Sequence, residues 1–122
     1  EYAKMPYDRD ILVRLIVKKE KAAFDYQSVR NSQTDFPVLT CAAAKTEAGY
    51  RFSIGARPGK AVLFELADAD IQAADVENMA ENAAKCVKEQ VETGSNTRGS
   101  AEYRKHLAGV LVRRAVCKLA GK

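Results

Sequence analysis

The fold is decided by the stretch Gly99-Ser100-Ala101-Glu102-Tyr103-Arg104-Lys105-His106-Leu107-Ala108-Gly109-Val110-Leu111-Val112-Arg113-Arg114-Ala115. Its first residues carry a helix start signal. The Ser100 hydroxyl can accept hydrogen bonds from the free N–H groups of a first turn, and Glu102 places a negative charge near the positive end of the helix dipole. A helix is therefore predicted to begin here.

The same stretch combines an apolar stripe with basic residues. Apolar residues recur at spacings of three and four, which places them on one face of a helix: Tyr103, Leu107, Val110, Leu111 and Ala115. Arg104, Lys105 and Arg113 are predicted to lie mainly on the opposite, solvated face. An amphipathic helix that packs on a core explains this periodicity, and its basic residues are available to meet an acidic partner.

The composition fits one globular domain over residues 1–122, because 47% of the residues are hydrophobic and 30% are charged. The chain begins with Glu1 rather than Met, which suits a processed chain or a fragment of a longer one. No apolar run reaches the roughly 18 to 20 residues that span a bilayer, and the first residues lack a signal-peptide pattern. We therefore expect a cytoplasmic protein without membrane contact.

The three cysteines, Cys41, Cys86 and Cys117, are odd in number and widely separated. This spacing matches neither a disulfide framework nor a Cys-x-x-Cys metal site. We expect small buried thiols, and no iron–sulfur cluster or metal site in this chain.

The net charge of +4 is unevenly distributed along the chain. Residues 60–92 contain three Lys against eight Asp and Glu, whereas residues 93–122 contain seven Lys and Arg against one Glu. The mixed signs argue against a dedicated nucleic-acid surface, and no nucleic-acid-binding motif accompanies them.

Strand signals precede helix signals along the chain. Residues 19–32 are mostly polar and are predicted to form a connection, and residues 46–49 supply the turn of a hairpin. Apolar residues at helical spacing predict a first long helix over residues 74–91. Four short segments have the composition of strands: residues 10–18, 35–44, 50–54 and 61–65.

This order predicts an α+β fold, in which a small antiparallel sheet of three to four strands carries two long C-terminal helices packed on one face.

The final helix closely resembles the last helix of the C-terminal domain in the FAD-binding (medium) subunit of molybdopterin dehydrogenases, the xanthine dehydrogenase and carbon monoxide dehydrogenase flavoprotein family. The resemblance extends to residues 24–30 and 35–42, where an aromatic and basic stretch precedes an Asp and a strand. Residues 10–13 are similar to the family's opening strand, and residues 54–58 to its small-residue turn. Together these segments extend the resemblance over residues 7–120.

The resemblance implies a domain of an oxidoreductase that packs beside the flavin. In this family FAD is held mainly by upstream domains, and it exchanges electrons with iron–sulfur clusters that receive them from a molybdenum cofactor on a partner subunit or domain. The expected partners are therefore the upstream FAD-binding domains and the molybdenum-binding and iron–sulfur subunits. The chain alone is expected to be inactive and not to retain FAD. The alternative is a free-standing protein-interaction module with the same fold and no flavin.

Three residues are cofactor-binding candidates on this resemblance: Tyr26, Gln27 and Asp35. Tyr26 would pack against the flavin edge, Gln27 stands shortly after it where many members carry a Lys, and Asp35 would orient a loop near the cofactor. Tyr26 also suits ordinary packing, and Asp35 suits capping of a turn. We expect no catalytic residue in this chain, and an exposed apolar patch near Tyr26 and the turn at residues 57–59.

Overall fold

The computed structural model describes residues 11, 13–17, 19 and 21–121. Within them the chain forms four strands followed by three helices. The elements are β1 (Ala23–Val29), β2 (Leu39–Thr46), β3 (Gly49–Gly55), β4 (Val62–Leu66), the short helix α1 (Asp68–Ile71), and the long helices α2 (Val76–Gln90) and α3 (Ala101–Leu119).

The strands form one antiparallel sheet in the order β1-β2-β3-β4, with each strand paired to its neighbour in sequence. The hairpin between β2 and β3 turns at Gly49, whose φ of +129° lies in the region that favours glycine. A Cβ at this position would also lie 2.3 Å from the Leu66 carbonyl oxygen. The turn predicted from residues 46–49 is therefore confirmed, together with its glycine.

The two long helices cover one face of the sheet. Both begin at capping side chains, because Asp75 accepts a hydrogen bond from the Asn78 N–H (2.8 Å) and Ser100 from the Tyr103 N–H (3.1 Å). Along β2 and β3 every second side chain points to the helices and is buried. These strand residues form one core with Val87 of α2 and Leu107 and Leu111 of α3. The α+β class with two long helices on one face is thus confirmed.

The first strand lies elsewhere than predicted. Residues 19–32, predicted as a connection, contain β1, so that prediction is wrong. Of the strand predicted over residues 10–18, residues 11 and 13–17 are described and adopt no strand, while Asp10, Leu12 and Lys18 lie outside the described residues. Pairing with β2 makes β1 a strand, and composition alone does not show which segment finds that partner.

Two side chains of α3 also differ from the helical pattern. Tyr103, predicted on the apolar face, is 45% exposed, and Arg104, predicted on the solvated face, is fully buried. Of the three cysteines, Cys41 is buried, and burial together with the charge of Asp25 raises its pKa to about 12. Cys86 and Cys117 are half-buried. Cys41 is therefore an unreactive core thiol, as expected.

Candidate functional site

Three loops meet at one end of the domain, which we call the loop end: residues 30–38, 56–61 and 91–100. The Asn31 side chain donates a hydrogen bond to the Arg98 carbonyl oxygen (3.2 Å). The Arg57 guanidinium reaches the Glu92 carbonyl oxygen (2.5 Å), and the Gly94 N–H donates to the Arg57 carbonyl oxygen (2.7 Å). These contacts join loops that are distant in sequence into one surface.

Arg104 ties the loop end to α3. Its Nε donates a hydrogen bond to the Val38 carbonyl oxygen (2.9 Å), where β2 is about to begin. Its Nη atoms donate to the carbonyl oxygens of Gly94 (2.6 Å) and Gly99 (2.5 Å) and to Oδ1 of Asn96 (2.5 Å). All four acceptors are uncharged, and burial, followed by the charge of Arg98, lowers the pKa of this guanidinium. The charge is therefore held by oriented dipoles alone.

Asp35 holds the loop between β1 and β2. Its Oδ1 accepts hydrogen bonds from Arg98 Nε (3.0 Å) and from the Phe36 N–H (2.7 Å). Both contacts lower the pKa of this carboxyl, so it stays ionised at neutral pH. The Arg98 guanidinium also lies 5.2 Å from the centroid of the exposed Phe36 ring. These contacts are those of a residue that caps a turn and orders a loop.

Tyr26 and Gln27 are neighbours on β1, and their side chains point to opposite faces of the sheet. Tyr26 is 61% exposed on the face away from the helices. Gln27 is half-buried on the helix side, where its amide donates a hydrogen bond to Asp25 Oδ2 (2.7 Å). Asp25 is itself buried and pairs with Lys118 of α3 (2.5 Å). Gln27 therefore belongs to a polar cluster between β1 and α3.

The three candidate residues are consequently not brought together into one site. Tyr26 lies on the side of the sheet away from the helices, Gln27 lies on the helix side, and Asp35 lies at the loop end. The sequence reasoning missed the buried Asp25, its ion pair with the exposed Lys118, and the buried Arg104. A signal for Arg104 is present in the sequence, because it lies three residues before Leu107 and shares its helical stripe.

The side of the sheet away from the helices, which we call the open face, carries exposed apolar side chains. Tyr26 pairs across the strands with Ala42, Ala42 with Ser53, and Ser53 with Leu63. Phe24 and Leu63 are 72% and 58% exposed. The apolar patch expected beside Tyr26 is therefore present, whereas the turn at residues 57–59 is held by polar contacts of Arg57.

Other kinds of site find no support in the part of the chain that the structure describes. Two hollows there are open grooves, one lined mainly by residues of the β2–β3 hairpin and one by Lys85, Lys88, Glu89 and Lys105. Those residues hold no cluster of three or more His, Cys, Asp or Glu suited to a metal ion. None of the described helices has the length and apolar character that crossing a bilayer requires.

Comparison with known protein families gives a match for this chain. The family model of the CO dehydrogenase flavoprotein C-terminal domain matches residues 24–119, from β1 to the end of α3. No curated protein matches the chain.

Several solved structures share the fold. A carbon monoxide dehydrogenase from Hydrogenophaga pseudoflava, which lacks the Mo-pyranopterin moiety of the molybdenum cofactor, matches with a TM-score of 0.69 and 22% identity over 81% of this chain and 37% of that chain. Quinoline 2-oxidoreductase from Pseudomonas putida 86 matches with a TM-score of 0.67 and 22% identity over 82% and 37%. A reconstituted CO dehydrogenase from Oligotropha carboxidovorans matches with a TM-score of 0.62 and 19% identity over 80% of this chain and 36% of that chain. The chain thus spans little more than a third of the chains it matches.

Proposed function

Because the chain belongs to the CO dehydrogenase flavoprotein C-terminal domain family, as the resemblance of its last helix predicted, we propose that it is the C-terminal domain of the FAD-binding subunit of a molybdenum-containing hydroxylase or dehydrogenase. In this role the domain packs beside the flavin and supports electron transfer between iron–sulfur clusters and FAD. The observation that carries the proposal is the family match, which includes all four strands and both long helices.

In this proposal the domain packs beside the flavin and does not bind the pyrophosphate of FAD. Binding the pyrophosphate of FAD calls for a glycine-rich loop or several free N–H groups at a helix start. In the described residues the N-terminus of α3 is already occupied, because Ser100 and Ser95 accept hydrogen bonds from its first N–H groups. This supports a site in which upstream domains hold most of the FAD, and we expect no retention of FAD by this chain alone.

The three candidate residues take different parts in this proposal. Tyr26 is suited to contact the flavin, since an exposed aromatic ring can lie against the edge of another ring system. Gln27 acts indirectly by holding Asp25, and Asp35 acts indirectly by ordering the loop end. The charge that a Lys supplies in many family members is absent at Gln27, so any cation beside the flavin comes from another position.

The proposal includes partners and a location. We place the subunit in the cytoplasm, in a complex with molybdenum-binding and iron–sulfur subunits. The flavin supplies the redox chemistry, while the protein binds, orients and shields it. The chain alone is then inactive, because electrons have neither a donor nor a bound flavin.

The test is a FAD titration followed by flavin fluorescence. The 122-residue chain is titrated first, and then the subunit with its upstream polypeptide restored. We expect no binding by the chain and tight binding by the restored subunit, with a Tyr26→Ser variant of that subunit binding more weakly. Lack of FAD binding by the restored subunit would contradict the proposal and would favour a free-standing interaction module.

A further inference from the structure

We infer that the open face is the surface on which the FAD-binding part of the same subunit packs, and that residues 11 and 13–17 are buried in the same contact. The inference rests on the proposed function and adds which side of the domain meets its partner. It depends on the composition of the open face, the chain segment that leads into it, and the distribution of charge.

The open face has the composition of a covered surface. The solvated side of an antiparallel sheet normally carries polar side chains. Here the middle row across the sheet consists of Tyr26, Ala42, Ser53 and Leu63, without a charge. The ion pair of Arg51 and Glu65 (2.8 Å) lies in the neighbouring row.

The shape of this row also suits another packed layer. Within this row, small side chains lie on the middle strands β2 and β3 (Ala42, Ser53), and large side chains lie on the edge strands β1 and β4 (Tyr26, Leu63). Phe24 extends the apolar edge of β1 on the same face as Tyr26. The result is a shallow apolar trough between two raised edges, which can receive side chains from an opposing surface.

The segment that leads into β1 is apolar and unburied. Ile11, Val13, Leu15, Ile16 and Val17 are each at least 80% exposed. Residue 17 precedes β1 by only six positions, and β1 is the edge strand that carries Phe24 and Tyr26. The apolar segment therefore adjoins the apolar edge of the open face, so one partner can cover both.

The upstream part of the subunit fits this position better than a separate protein. Polypeptide that precedes residue 11 must approach the domain beside β1. The chain covers only 37% of the first matched chain, so most of that chain lies outside the part that this domain matches. An uncharged row of side chains such as that through Tyr26 and Leu63 is also typical of permanent contacts within a chain or complex, and the nearest charges on this face, Arg51 and Glu65, pair with each other.

Hydroxyl-radical footprinting tests the inference on the same two proteins as the FAD titration. Side-chain oxidation rates are measured by mass spectrometry for the 122-residue chain and for the restored subunit. We expect the rates of Phe24, Tyr26 and Leu63 to fall several-fold in the subunit, together with those of the apolar residues among 11 and 13–17. Tyr103, which is exposed on α3, is the matched control for Tyr26 and is expected to keep its rate.

A paired substitution gives a second measurement. Leu63→Asp changes an exposed side chain, so the isolated chain should keep its melting temperature, while the restored subunit should become more susceptible to proteolysis before residue 23. Tyr103→Asp is the control and should change neither quantity.

The outcomes separate the two claims. Unchanged oxidation of Phe24, Tyr26 and Leu63 in a restored subunit that binds FAD would overturn the docking surface and leave the proposed function standing. Protection in the chain alone that rises with protein concentration would assign the open face to a second copy and would also overturn the inference. Lack of FAD binding by the restored subunit would instead contradict the proposed function itself.

Discussion

Arg104 shows how a single residue can hold two loops in place. A guanidinium removed from water loses a large hydration energy, and stable burial requires that its N–H groups find acceptors. Val38, Gly94, Asn96 and Gly99 supply these acceptors from the segment before β2 and from the loop between α2 and α3. The same hydrogen bonds satisfy three carbonyl groups, so the side chain and the loops depend on each other.

Replacing Arg104 should therefore destabilise the domain strongly. Arg104→Met is expected to lower the free energy of unfolding by about 3 kcal/mol, because buried carbonyl groups lose their donors. Arg104→Lys should recover little of this loss, since an ammonium group cannot reproduce the forked geometry. The measurement is urea denaturation at pH 7.

The control for this experiment lies on the same helix. Arg113 is exposed, and its ion pair with Glu81 is long, with 3.8 Å between Nε and Oε2. Because such exposed pairs contribute little, Arg113→Met should change the free energy of unfolding by less than about 0.5 kcal/mol. A loss for Arg104→Met no larger than that of the control would show that the buried guanidinium does not stabilise the fold.

The pair of Asp25 and Lys118 makes stability depend on pH. Burial raises the pKa of Asp25, but hydrogen bonds from Lys118 and Gln27 and the charge of Lys118 outweigh it, so the pKa lies below its ordinary value of 3.8. Because the pKa is lower in the folded state, the pair stabilises the domain fully above that value. The stabilisation is lost as the pH falls through the folded pKa.

Lys118→Met removes the partner of this buried carboxylate. We expect the free energy of unfolding to fall by about 1 to 2 kcal/mol at pH 7. The difference from the unchanged protein should shrink towards zero as the pH falls through the folded pKa of Asp25, because the carboxyl is then protonated in both proteins. In an Asp25→Asn background the same substitution should have little effect. A difference that is constant with pH would contradict this role, and denaturation curves at several pH values decide between the two.

At the scale of elements, two glycines illustrate how packing decides the effect of one methyl group. Gly109 lies where α3 crosses α2, and a Cβ there would be 3.6 Å from Lys88 Cδ and 3.8 Å from the Ala84 carbonyl oxygen. These are ordinary contact distances. Gly49 lies in the β2–β3 turn at positive φ, and a Cβ there would overlap the Leu66 carbonyl oxygen.

The same substitution should therefore have opposite effects at the two positions. Gly109→Ala is expected to raise the free energy of unfolding by up to about 1 kcal/mol, because alanine favours the helix. Gly49→Ala is expected to lower it by about 2 kcal/mol or more, since both the backbone angle and the space are unfavourable. Thermal unfolding followed by circular dichroism measures both, and a destabilising Gly109→Ala would show that the helices cross more tightly than the structure indicates.

At the scale of the whole molecule, the domain is a two-layer structure with one face of its sheet uncovered. The helices bury the alternate side chains of β2 and β3, but nothing in the described chain covers Phe24, Tyr26 and Leu63. The FAD titration and the footprinting experiment address this scale together. The first asks whether the domain belongs to a flavin-binding subunit, and the second asks which surface joins it to the rest.

Elements whose signals are local could be predicted from the amino-acid sequence. The helical spacing predicted α2 and α3, the Ser100 cap predicted the start of α3, the turn residues predicted the hairpin of β2 and β3, and the pattern of the last helix indicated the family. These features depend on interactions between residues close in the chain, which a sequence displays directly.

Contacts between distant parts of the chain determine which segment forms the first strand, where Arg104 lies and how the candidate residues are arranged. Residues 10–18 have a stronger strand composition than residues 23–29, yet β1 is the segment that pairs with β2. Arg104 is buried because three carbonyl groups and one amide, brought together by separate loops, accept its hydrogen bonds. Tyr26 and Gln27 separate because adjacent residues of a strand point to opposite faces. Each outcome depends on partners distant in sequence, and the free energy of those contacts outweighs local preference.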